Sequence, residues 1–169
     1  MNASTMDRSM LQDISQFVFR EAKLLDDKQY EAWLALFDDD GLYVVPLTEE
    51  PRPGRQADIV NDNKAAREER VHHLMHHWFP AQQPPSRTRH FVSNVMAEER
   101  DGLWRVSTSQ LIYETRAGDW FQVGLGEVRP IVAGVDYALR EVERGFRICE
   151  KRIRLLDMAG WQANLAFIY

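Results

Sequence analysis

At 169 residues, 44% hydrophobic and 28% charged, the chain has the composition of a globular protein and length enough for one domain with a real core. A formal net charge of −5 argues against non-specific nucleic-acid binding, which needs a basic surface. Cys149 is the one cysteine, so an internal disulfide is excluded, as are an iron–sulfur cluster or a cysteine-rich zinc site built by this chain alone. No apolar run reaches membrane-spanning length and no basic-then-apolar leader opens the sequence, so a cytoplasmic protein is expected.

Residues 1–8 read as a loose arm. From Ser9 to Leu25 the apolar residues Met10, Leu11, Ile14, Phe17, Val18, Ala22 and Leu25 fall at spacings of three and four, which predicts a helix with one apolar stripe. Asp26-Asp27 interrupts it, and Asp27 is placed to cap a second helix carrying Tyr30, Trp33, Leu34 and Phe37 on one side. Asp38-Asp39-Asp40-Gly41 reads as a turn, Leu42–Val45 as a short strand, and the segment punctuated by Pro51, Pro53 and Gly54 as a loop. A third helix is predicted over Asn61–Trp78, capped by Asp62 or Asn61 and ended by Pro80, Pro84 and Pro85.

Beyond Pro85 the pattern changes. Arg87–Glu98, Leu103–Thr115, Trp120–Ile131, Ala138–Val142 and Phe146–Leu156 read as strands, with Asp101-Gly102, Ala117-Gly118-Asp119 and Glu143-Arg144-Gly145 as turns between them. Ile148 and Ile153 have opposite parity in the last strand, which calls for a bulge. The expectation is a single α+β domain over residues 1–169: 9–80 mainly helical with one short strand, and 86–169 an antiparallel meander. The sheet should be strongly bent around the N-terminal helices, as a cone-shaped α+β barrel.

Several stretches carry a family resemblance. Arg20–Asp27 with Tyr30–Phe37, then Tyr43-Val44-Val45-Pro46-Leu47, then the central Pro84-Pro85-Ser86-Arg87-Thr88-Arg89-His90-Phe91-Val92-Ser93-Asn94-Val95, and finally Leu155-Leu156-Asp157 and Asn164–Ile168 stand in the right order. Together they resemble the β (small) subunits of aromatic-ring-hydroxylating dioxygenases, the Rieske-type non-haem iron oxygenases. The likeness spans nearly all of 15–169 and departs from the family between Val123 and Tyr137. It implies the cone fold shared with nuclear transport factor 2, scytalone dehydratase and ketosteroid isomerase. It implies a structural, non-catalytic subunit that holds catalytic α subunits in a three-fold heterohexamer, with β–β contacts and a homotrimer when alone. The α subunit would carry the Rieske 2Fe–2S cluster and the mononuclear Fe(II), drawing electrons from NAD(P)H to cis-dihydroxylate aromatic compounds in their catabolism. No cofactor or metal is expected on this chain.

Two features compete with that reading. His72, His73, His76 and His77 cluster on the predicted third helix, opposite the arc of Val71, Leu74, Met75 and Trp78. Glu69, His72 and His77 echo the carboxylate and histidine order of the α subunits, but His72 and His77 lie roughly 140° apart on a continuous helix. A polar face is therefore expected there rather than a metal site. His90, on a strand with Asn94 and Met96 and with Tyr43 or Tyr113 as candidate neighbours, is the base if the chain is a stand-alone dehydratase or isomerase; a small-ligand-binding module is a further alternative. The competing role of Arg87, Arg89 and His90 is to make polar contacts at a subunit interface or to satisfy buried carboxylates. Asp157 and Asn164 complete the candidate interface set.

Overall fold

Ile14, Val18, Glu21, Ala22 and Leu25 recur at helical spacing and form the buried face of α1 (Arg8–Asp26) in the computed structural model, which describes residues 8–47, 58–76, 85–116, 126–157 and 167–169. Lys28 closes α1 in a left-handed conformation (φ 57°), with Gln29 N–H donating to Leu24 O at 2.8 Å and Lys28 N–H to Leu25 O at 3.1 Å. Asp27 therefore belongs to the end of α1, where it pairs with Lys23, and is not the expected cap of the next helix. That helix, α2 (Tyr30–Leu34), is a single short turn capped at Gln29. Phe37 is not on it: Phe37 opens strand β1 (Phe37–Pro46).

Asp38–Gly41 is not a hairpin turn. Phe37 registers with Ile148 and Leu42 with Glu150, so four residues of β1 oppose only Cys149. Gly41 is required in this bulge, because a Cβ there would lie 2.6 Å from Ile148 O. A second strand that the sequence presents as loop and helix, β2 (Asp58–Asp62), pairs with β1; it shortens the third helix, α3, to Lys64–His76. The cap of α3 is Asn63, whose Oδ1 accepts from Ala66 N–H at 3.1 Å, and neither Asp62 nor Asn61.

The second half follows the expected meander: β3 (Arg87–Arg100), β4 (Leu103–Thr115), β5 (Val128–Val142) and β6 (Gly145–Leu155). The two strands expected at Trp120–Ile131 and Ala138–Val142 merge over their described residues into a single long one, since β5 pairs with β4 without a break from Val128 to Leu139. Strand order is β2-β1-β6-β5-β4-β3; every pair is antiparallel except β1–β6. The expected bulge in the last strand is at Cys149, the extra residue between Ile148↔Leu139 and Glu150↔Ala138.

Helix α1 packs on both β3 and β6. In a flat sheet those strands would stand about 14 Å apart, three spacings of roughly 4.8 Å, so the sheet curls to reach both sides of one helix. Among the described residues the curl is open, with β2 and β3 at its two edges, so the cone is not a closed barrel. Trp33, fully buried, sits edge-on to Phe37 and Tyr43 with centroids 4.9 and 5.6 Å away, at the meeting of α2 and β1. Leu74 packs against this core from α3 as expected, while Met75, assigned to the same arc, is 43% exposed. Trp78 lies outside the described residues. No helix among those described is long and apolar enough to cross a membrane.

Candidate functional site

The inner face of the curl holds a polar cluster that sequence patterning does not reveal. Its residues come from helix and strand positions that read as ordinary inward-facing ones: Glu21 from α1, Gln110 from β4, Tyr137 from β5 and Lys151 from β6. Glu21 is at the centre. Its Oε1 accepts from Trp33 Nε1 and from Lys151 Nζ, both at 2.6 Å, and its Oε2 accepts from Tyr137 OH at 3.2 Å. Gln110 Nε2 donates to Tyr137 OH at 3.0 Å, and Lys151 Nζ also donates to Tyr169 O at 2.7 Å. Tyr43 OH accepts from Tyr169 N–H at 3.1 Å, tying the last residues of the chain into the same cluster.

A carboxylate, an amine, two phenols and an amide are the groups a proton-transfer site uses. Here each is occupied by another. Glu21 and Lys151 are both 0% exposed, which a charged pair tolerates only with its hydrogen bonds made. Burial pushes the Lys151 ammonium below its ordinary value against the pull of Glu21, and burial raises the phenols of Tyr43 and Tyr137. The Tyr169 phenol is likewise raised, to about 12, chiefly by burial. As it stands, the arrangement clamps α1, β6 and the chain end together.

His90 is part of a second constellation, at the C-terminal end of α1. Its Nδ1 lies 2.6 Å from Asp26 Oδ1, so Nδ1 carries the proton and donates it to the carboxylate. The backbone N–H of His90 donates to Asp26 Oδ2 at 3.0 Å, and Thr88 Oγ1 donates to Oδ1 at 3.0 Å. Asp26 thus receives an N–H that, among the described residues, edge strand β3 has no neighbouring strand to take. Burial alone raises the Asp26 pKa; the hydrogen bonds from His90 and Thr88 outweigh it, and the carboxyl is held below its usual range.

A carboxylate orienting a histidine is the geometry of a general base, but access is missing: the His90 side chain is 1% exposed and its Nε2 has no hydrogen-bond partner among the described residues. The neighbours expected from the sequence are elsewhere. An extra residue in β3 at Asn94-Val95 turns Met96 outward, where it is 67% exposed; Tyr113 points outward against Phe91, and Tyr43 is in the inner cluster. The partner His90 does have, Asp26, is 64 residues away in sequence, where its local context marks it only as a helix breaker.

Of the candidate interface residues, Arg87 and Arg89 are on the exposed side of β3, and Arg89 reaches to 3.9 Å from Asp26. Asp157 is exposed just beyond β6. His90 does not join them on the surface, and Asn164 lies outside the described residues. On α3, His72, His73 and His76 face outward, with the rings of His72 and His76 4.8 Å apart; His77 lies outside the described residues. No group of three His, Cys, Asp or Glu side chains suited to one metal ion occurs among the described residues. Cys149 is half-buried in its bulge, 3.1 Å from Asp38 Oδ2; burial and that carboxylate raise its thiol pKa, so it is not an activated nucleophile.

Buried Arg67, whose sequence context suggests only a helix former, serves the β1 bulge. Its guanidinium donates to Gly41 O and lies 4.3 Å over the Phe37 ring.

Residues 20–159 match the family model described as ring hydroxylating beta subunit. The small oxygenase component of the p-cumate 2,3-dioxygenase system of Pseudomonas putida is 33% identical over 153 residues, covering 89% of this chain and 79% of the relative. The β subunit of benzoate 1,2-dioxygenase from Burkholderia mallei superposes with a TM-score of 0.74 at 23% identity, over 98% of this chain and 99% of that one. The fold extends further, to an NTF2-like protein with a cystatin-like fold from Novosphingobium aromaticivorans, with a TM-score of 0.57 at 18% identity over 86% and 81% of the two chains.

Proposed function

The chain belongs to the ring-hydroxylating dioxygenase β-subunit family, and from that premise we propose that it is the non-catalytic subunit holding catalytic α subunits in a three-fold heterohexamer. The α subunit carries the Rieske 2Fe–2S cluster and the mononuclear Fe(II), takes electrons from NAD(P)H and cis-dihydroxylates an aromatic ring; this chain supplies the rigid base. The observation that carries the reading is the filled interior. Where a cone-fold enzyme needs a substrate cavity, this chain has Glu21 and Lys151 fully buried and hydrogen-bonded to Trp33, Tyr137 and Tyr169.

Arg87, Arg89 and Asp157 are the surface candidates for subunit contacts, on an edge strand and a strand end. His90 acts from beneath them by fixing Asp26 against β3. The stand-alone dehydratase or isomerase reading needs a substrate at His90 Nε2, which the 1% exposure of that side chain does not allow.

Co-expression with a cognate α subunit tests the proposal. The two chains should co-purify, and assembly and ring dihydroxylation should rise together when this chain is present. An α subunit fully assembled and active without it would sink the reading. So would turnover of a hydroxylated small molecule by this chain alone, lost in His90→Ala.

A further inference from the structure

Inside the curl, Phe167, Ile168 and Tyr169 are buried yet belong to no helix or strand, and among the described residues they make no backbone–backbone hydrogen bond. Side chains hold them instead. Tyr169 N–H donates to Tyr43 OH at 3.1 Å, and Lys151 Nζ donates to Tyr169 O at 2.7 Å. Tyr43 and Lys151 face each other in register across β1 and β6, so one cross-strand pair catches both backbone groups of one residue. The ring is held separately. Phe167 meets it edge-on, with centroids 5.0 Å apart. Burial raises the phenol pKa to about 12, with Arg129 pulling it down and Glu114 pushing it up, so the ring lies within electrostatic reach of the Glu114↔Arg129 pair of β4 and β5. A donor, an acceptor and an aromatic ring, each met by side chains of a concave face, is how a small ligand is bound.

The groups that grip Tyr169 are fixed independently of it. Glu21 Oε1 holds Lys151 Nζ from the other side at 2.6 Å, and the Tyr43 ring stands edge-on to Trp33 with centroids 5.6 Å apart. Departure of Phe167–Tyr169 would break no strand pairing among the described residues. It would leave an ammonium and a phenol converging on a buried space. We propose that Phe167–Tyr169 occupies in cis a seat for a small phenolic ligand bearing an amide or a carboxylate, which enters as the segment leaves. The ligand's oxygen takes the Lys151 ammonium, and its ring takes the place of the Tyr169 phenol. The seat is independent of the assembly role proposed above, since holding α subunits calls for a rigid base and not for an exchangeable occupant.

Native-state hydrogen exchange on the full chain is the first test. Tyr169 N–H should exchange through a local opening, on the order of a hundredfold faster than the slowest amides of β4 and β5 and with little dependence on denaturant. The probe is N-acetyl-tyrosinamide, which carries the same N–H, carbonyl and phenol. It should bind the wild type saturably and speed the exchange of Tyr169 N–H as it does so. It should bind Tyr169→Gly at least about tenfold more tightly, because a seat no longer filled by its own ring is competent more of the time. N-acetyl-leucinamide, which lacks the phenol, should do none of this. Exchange of Tyr169 N–H only with global unfolding would make the segment ordinary core and overturn the proposal, whether or not Tyr169→Gly folds. Equal affinity of the probe for the two proteins, or equal binding of the leucine analogue, overturns it as well. So does binding to Tyr169→Gly with wild-type exchange unchanged, which would mark a void made by the substitution.

Discussion

On the inner face of β6, Lys151 is 0% exposed and donates to Glu21 at 2.6 Å; one residue along, on the outer face, Arg152 is 36% exposed and pairs with Glu150 at 2.9 Å. The distances are nearly the same and the physics is not. Inside, each charge has lost its water, so removing one partner strands the other in a medium that cannot solvate it. Outside, water replaces a lost partner, and such a pair contributes little. Charge on the inner face is therefore committed to holding the fold. Charge on the outer face keeps its water and is not committed to the fold.

The comparison breaks most sharply at Lys151. Lys151→Met should cost about 3–5 kcal/mol in urea unfolding, because it leaves the Glu21 carboxylate buried without its cation. Arg152→Met on the outer face should cost under about 1 kcal/mol. The double variant Glu21→Gln/Lys151→Met should recover much of the first loss, since the stranded charge is gone. A Lys151→Met protein no less stable than Arg152→Met would show that the inner pair is not the clamp described.

Asp26 sharpens the same contrast through pH. Its folded-state pKa lies below the ordinary 3.8, with burial pushing up and the hydrogen bonds from His90 and Thr88 pulling further down. A carboxyl depressed on folding binds protons more readily when unfolded. Its stabilisation is thus present above pH 3.8 and is lost as pH falls through the lower folded value. The melting temperature of Asp26→Asn should fall below that of the wild type at neutral pH, and the gap should narrow on acidification. A gap that stays constant to about pH 2 would mean the carboxylate form is not what β3 and α1 rely on.

The smallest effect is expected on the outward face of α3. His72→Ala/His76→Ala should change unfolding free energy by no more than about 0.5 kcal/mol. A larger loss, reversed by added zinc, would make that face a structural metal site.

The elements legible in the sequence are those with a strong local signal. The stripe of Ile14, Val18, Ala22 and Leu25 locates α1 to within a residue at each end, and Asp101-Gly102, both at positive φ, marks the β3–β4 hairpin. What misleads are residues whose local preference and tertiary role diverge. Asp38–Gly41 has turn composition but is a strand bulge, held by Arg67 from α3. Asp58–Asp62 is too short and polar to signal a strand, and is one because β1 offers it a free edge. Residues 132–137, Gly134 among them, are not read as strand from the sequence, yet lie within β5, where β4 pairs along the segment and β6 from Ala133 onward.

The sequence by itself determined the class of fold, the family, and the exclusion of a disulfide or a cysteine-bound cluster on this chain. Helical periodicity, turn residues and a cysteine count are local properties, readable without knowing what touches what. Only the tertiary structure decided which charges are buried together. Glu21 meets Lys151 across 130 residues, His90 meets Asp26 across 64, and Arg105 loses Glu98 to Arg100 although register sets it opposite. Nothing in residue type or spacing distinguishes a glutamate that will lose its water from one that will keep it. That distinction appears only when the sheet curls round α1 and desolvation selects the partners.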